Sequence, residues 1–261
     1  MVSSTYVRVR DPNLSRAWLR AIKKLAIPKR REAIPLVVTF SSFADGVPDE
    51  VHSIREAINV LLAARGKPSV GTIANTIFPE TFWDRTRDDQ LEAAENLYAR
   101  YLGILPRISR YPANRNGIYF ARMIAYQPVE SPIAPVNQIR HVLTTYRDGN
   151  HRRSALQLAI FDPTRDHTDQ RQRGFPCLHQ IAISPEKDHT LALTAFYGTQ
   201  YLLTRAYGNY VGLARLGTFL ADQLDLQLSR VTCVASVGAL GAPKSAVLPL
   251  IAQLEHVLET Q

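Results

Sequence analysis

The chain has 261 residues, 46% hydrophobic and 21% charged, with a formal net charge of +8. That length can bury roughly three quarters of the unfolded surface, in one large domain or two small ones. Two cysteines exclude a disulfide framework, no apolar run reaches the roughly 18 residues of a membrane span, and the opening MVSSTYVRVRDPN has no apolar signal core, so a soluble cytoplasmic protein is expected.

In PNLSRAWLRAIKKLA, Leu14, Trp18, Leu19, Ile22 and Leu25 recur at helical spacing, with Asn13 or Ser15 available as cap. AIPLVVTFSS is a β-branched, nearly continuous apolar run and predicts a buried strand. PDEVHSIREAINVLLAARG opens on Pro and acids and closes on Arg and Gly, the asymmetry of a helix with both its ends. Residues 67–127 are richer in Pro, Asn, Arg and aromatics; they read as an irregular inserted region holding one helix at DDQLEAAENLYARYLGIL. Beyond it, NQIRHVLTTYRDG predicts a helix, SALQLAIFD and CLHQIAIS strands, and TLALTAFYGTQYLL a strand running into a turn. NYVGLARLGTFLADQLDL predicts a buried helix, SRVTCVASVGAL a strand, and PKSAVLPLIAQLEHVLET a terminal helix. This order supports one domain over 1–261, of the α/β or α+β class, with a mixed β-sheet flanked by helices.

The positive charge is carried by 25 arginines against 6 lysines. Guanidinium captures phosphate or carboxylate in a bidentate way, so an anionic ligand fits this composition, as does a genome that simply writes Arg for Lys. The arginines are scattered, and no zinc-finger, RRM or basic-zipper pattern groups them, which argues against nucleic acid. No metal site is read from the sequence.

The stretch RQRGFPCLHQIAI sets Cys177 after a proline at the mouth of a strand. A catalytic cysteine attacks as thiolate and needs a positive neighbourhood; Arg171, Arg173 and His179 flank it in sequence. In a regular strand His179 shares a face with Cys177 and is placed to lower its pKa or to pass protons. The plainer reading is a packed, inert thiol. Cys233, inside SRVTCVAS, has no polar company and reads as core.

Four collinear segments resemble thymidylate synthases. RGFPCLHQIAI resembles their nucleophile segment; NGIYFARMI followed by NQIRHVL is similar to their Gly-x-x-Tyr segment and the helix after it; DGNHRRSALQLAIFDP resembles the segment with paired arginines; and YGTQYLLTRAYGNYVGLARLGTFLADQLDL resembles their longest signature. The resemblance implies a thymidylate-synthase-like fold that dimerises through its sheet. It further implies a Cys177 adduct to C6 of a pyrimidine nucleotide and one-carbon transfer to C5 from 5,10-methylenetetrahydrofolate. In that frame Asn209 reads the uracil edge, Arg152 and Arg153 reach the partner's substrate phosphate, Tyr119 lines the pocket, and Thr199 stands at a serine position. Taken as residues alone, Asn209 suits a turn and Tyr119 an aromatic core.

The departures are as informative. Gly198 stands where the family has a phosphate-binding arginine, and Tyr201 replaces an aspartate. Gly238 and Leu240 fall where the family grips the ribose. Asn59 occupies the catalytic-glutamate position; Glu56, nearly one turn earlier, is available only if the helix is rotated or shifted. Arg205 is placed to restore a cation, or to serve as a surface arginine. Two functions follow: a divergent transferase modifying C5 of a pyrimidine nucleotide, with Cys177, His179 and Glu56 as catalytic groups, or a non-catalytic dimeric nucleotide-binding or interaction protein.

Overall fold

A computed structural model describes residues 6–27, 32–86, 90–128, 132–149, 152–169 and 174–259. The chain opens on β1 (Val7–Arg10), where Val7 and Val9 turn inward and Arg8 and Arg10 outward. Helix α1 (Leu14–Ala26) follows, and the Asn13 side chain accepts the Arg16 N–H at 3.1 Å as its cap. Short β2 (Glu32–Ala33) and the buried β3 (Leu36–Phe40) come next, then a small ribbon of β4 (Phe43–Ala44) and β5 (Val47–Pro48).

Helix α2 (His52–Ala64) buries Ile54, Ile58 and Leu62, and α3 (Val70–Ile77) and α4 (Gln90–Ile108) follow. Then come α5 (Tyr119–Ile124), α6 (Gln138–Arg147), β6 (Gln157–Ala159), α7 (Pro163–Asp166), β7 (Leu178–Pro185) and β8 (Thr190–Tyr201). A π-helical turn (Leu202–Ala206) leads into α8 (Tyr207–Gln223), and β9 (Gln227–Ala239) and α9 (Lys244–Glu259) complete the fold.

The expected irregular insertion at 67–127 is largely helical. Apolar spacing in α3 went unread because the segment holds only about two turns, too little for a convincing period. Its packing is tight: a Cβ on Gly212 of α8 would lie 2.7 Å from the Ala74 carbonyl oxygen. The segment therefore belongs to the main core. Strand β1 is a further element absent from the expectation; the alternation VRVR was its signal.

The sheet has seven strands in the order β1-β3-β9-β8-β7-β6, with β2 also paired to β9. It is mixed: β1 with β3 and β8 with β9 are parallel, the other pairs antiparallel. Helix α8, buried along nearly its whole length, packs on one face. On the other face Arg8, Arg10, Gln180, Phe196 and Ser236 are exposed.

Three strands depart from regular alternation at one level. On β8 the inward residues are Leu191, Leu193, Ala195 and Tyr197, and then Gln200; on β9 they are Val231, Cys233 and Ala235, and then Gly238. Tyr197 pairs with Ala235 and Gln200 with Gly238, so the two strands change parity together. The neighbouring β7 has its own register shift between Leu178 and Gln180. A kink shared by adjacent strands re-aims several side chains at once.

Candidate active site

Cys177 stands immediately before β7, where the Gly198 N–H donates to its carbonyl at 3.0 Å and its own N–H donates to the Tyr119 hydroxyl at 3.3 Å. Phe175, two residues earlier, packs against the Tyr119 ring at 5.0 Å between centroids. Gly117 permits this approach: its φ is +130°, and a Cβ there would lie 2.7 Å from Phe175 Cε1. Over the Phe175 ring, at 4.8 Å, lies the guanidinium of buried Arg122. Arg122 forms a two-pronged pair with Asp166, one prong measuring 2.9 Å, and also donates to the Ile160 carbonyl at 2.7 Å. This buried pair fastens α5, α7 and the approach to Cys177 together.

The electrostatics differ from the expectation of an activated thiolate. Cys177 is half-buried, and burial raises its thiol above the ordinary 9.0, opposed by the positive field of Arg205. Arg205, exposed in the π-helical turn, also opposes the rise of Tyr119, whose phenol burial pushes up to about 12. Tyr197, fully buried with Cys177, Tyr119 and Tyr210 as electrostatic neighbours, is held far above the usual phenol range by burial. Burial lowers His179 below its ordinary 6.5, with Asp166 and the Pro176 carbonyl pulling the other way.

His179 does not pair with Cys177 among the described residues. Its ring lies 5.0 Å from the Phe161 ring, and a Cβ on Gly198 would fall 2.7 Å from its Cε1. That contact accounts for Gly198: any side chain there, arginine included, would displace the imidazole.

Glu56 is exposed on α2, and its side chain makes no ion pair or hydrogen bond among the described residues. Asn59 is half-buried and accepts the Val70 N–H at 2.9 Å, bonding to the first turn of α3. Arg152 and Arg153 are exposed, and Arg153 donates to the Pro185 carbonyl at 3.2 Å, the opposite end of β7 from Cys177. Thr199 is half-buried on β8 beside Val237. Arg171 and Arg173 lie outside the described residues. Cys233 is buried in the core, its thiol raised strongly by burial.

Two buried polar groups on β8, Gln200 and Tyr197, lie outside the candidates that the sequence offers. Gln200, 2% exposed, accepts the Tyr210 hydroxyl at 3.1 Å through Oε1, while its Nε2 has no partner among the described residues. The Tyr197 hydroxyl is likewise buried without a partner. Asn209, at 5% exposure, makes no hydrogen bond among the described residues. Gln200 escaped notice because regular alternation would face it away from Tyr197.

A cleft of about 450 Å³ lies elsewhere, lined by Asp11, Asn13, Arg16, Asp49, Glu50 and His52 among others. Glu50 is already engaged there by the Tyr207 hydroxyl at 2.9 Å and by Arg55 at 3.1 Å. Among the described residues no group of three or more His, Cys, Asp or Glu could hold a metal ion, and no helix is long and apolar enough to cross a membrane. No family model matches this chain, and no curated protein matches it.

Proposed function

We propose that this protein modifies C5 of a pyrimidine nucleotide by one-carbon transfer of the thymidylate-synthase type, with Cys177 as the attacking group. The observation that carries this reading is a pair of buried polar side chains with unmet hydrogen bonds among the described residues, Gln200 and Tyr197, the second an electrostatic neighbour of half-buried Cys177. Buried groups of this kind are ordinarily satisfied, and a polar heterocycle bound beside Cys177 would satisfy them. Thiolate addition at C6 moves the ring's π electrons toward C5, which makes C5 nucleophilic.

The methyl or hydroxymethyl donor in this reading is 5,10-methylenetetrahydrofolate. The chain's residues do not fit the family's contact to it: Tyr201, in the aspartate position, is 45% exposed, and Asn59 bonds to the α3 backbone. Arg152 and Arg153, far along β7 from their own Cys177, would serve a partner's nucleotide phosphate in a homodimer built on the uncovered sheet face.

The test incubates the protein in deuterated water with uridine, deoxyuridine, cytidine and deoxycytidine monophosphates. Exchange of the C5 hydrogen that disappears in Cys177→Ser, with binding retained, supports the reading; no binding of any nucleotide overturns it. A second reading, a non-catalytic dimeric nucleotide-binding or interaction protein, is favoured by the raised Cys177 thiol, to which no base is hydrogen-bonded among the described residues. Binding without exchange would select it.

A further inference from the structure

We infer that Gln200, oriented by Tyr210 and joined by Tyr197, is a further ligand-reading residue whose amide N–H donates to the C4 carbonyl oxygen of the bound pyrimidine. The inference rests on the pyrimidine reading above and adds to it the group that recognises the carbonyl.

Tyr197 pairs with Leu178, the first residue of β7, and the Gly198 N–H turns to the Cys177 carbonyl at 3.0 Å. Beyond that point β8 runs on without a β7 partner, and Gln200 is its last buried residue. The parity change shared with β9 brings its side chain inward, onto Tyr210 of α8. Burial holds the Tyr210 phenol protonated, so it donates to Gln200 Oε1 and sets the amide's orientation. What remains is Nε2, a buried pair of N–H donors without a partner, and close to it along β8 the Tyr197 hydroxyl, also without one.

The surplus here is of donors. Tyr119 adds to it, because its oxygen already accepts the Cys177 N–H and its own proton remains to be given. Donors call for an acceptor edge, a ring carbonyl in place of an exocyclic amino group. The chemistry rewards the same arrangement. As the S–C6 bond forms, the C5=C6 π bond breaks and its electron pair settles on the C4 oxygen as an enolate. Protonation at C5, loss of a C5 proton and expulsion of the thiolate restore the ring. A donor fixed at the C4 oxygen strengthens as that charge develops, without reorganising.

The experiment compares uridine and deoxyuridine 5′-monophosphates with their 4-thio analogues, sulfur being the poorer acceptor, by calorimetric binding and by protection of Cys177 from alkylation. Wild type should prefer the oxo ligand by about tenfold, the worth of one good hydrogen bond. Gln200→Leu should erase that preference by weakening oxo binding alone. Gln200→Glu keeps an oxygen for Tyr210 and replaces the donors with an acceptor, so it should lose the oxo ligand even if Gln200→Leu fails to fold. Nucleotide binding with an unchanged oxo preference in both variants overturns the inference and leaves the pyrimidine reading standing. Failure of wild type to bind any of the four ligands overturns both.

Discussion

The Tyr119 hydroxyl accepts the Cys177 backbone N–H at 3.3 Å, and burial raises both side chains while Arg205 opposes the rise in each. Thiol and phenol therefore share one cation. Arg205→Met should move the pH midpoint of Cys177 alkylation upward from a starting value already above the ordinary 9.0. Iodoacetamide labelling across pH, followed by mass spectrometry, reads both midpoints; Cys233 should stay unlabelled throughout. A wild-type midpoint below that of a free thiol would contradict the burial argument.

Asn209→Asp should shift binding from uracil towards cytosine nucleotides. A carboxylate accepts from an amino group but has no proton for a carbonyl. Calorimetry with the four monophosphates measures the shift. Equal preference before and after the change would mark Asn209 as structural only.

Arg122→Met should destabilise the protein by about 3–5 kcal/mol, because it removes the guanidinium that offsets the buried Asp166 carboxylate. Urea unfolding reads the loss, and Arg122→Met with Asp166→Leu should recover much of it. Recovery is the decisive arm. A double variant as unstable as the single one would show that the pair's packing, and not its charge, matters.

His179 makes stability pH-dependent. Its folded pKa lies below the ordinary 6.5, so the unfolded chain binds a proton first as pH falls. The contribution is complete above 6.5 and is lost progressively below it, down to the folded value. Denaturation midpoints for wild type and His179→Gln, compared between neutral and mildly acidic pH, should converge as pH falls. Parallel curves would contradict this.

Phe196, 40% exposed at the centre of the uncovered sheet face, tests the proposed dimer. Phe196→Arg should convert the dimer to monomer in sedimentation, since a buried unpaired charge opposes association. A wild-type protein that sediments as monomer would remove the shared phosphate site.

Local pattern was enough for much of this fold. Trp18, Leu19, Ile22 and Leu25 repeat at helical spacing, Asn13 caps their helix, and the apolar runs of β3, β8 and β9 lie as strands where their β-branched residues imply. Cys177 does stand at the mouth of a strand. Such features depend on residues a few positions apart, whose geometry the backbone period dictates.

Tertiary structure decided what those residues face. Gln200 turns inward because β8 and β9 change parity together. Asn59 bonds to α3 because α3 begins beside it, and Arg122 meets Asp166 across 44 positions of chain. Each of these depends on where a second element lies. A period read along one strand assumes an undistorted partner, and no local stretch carries the position of the strand that bends it.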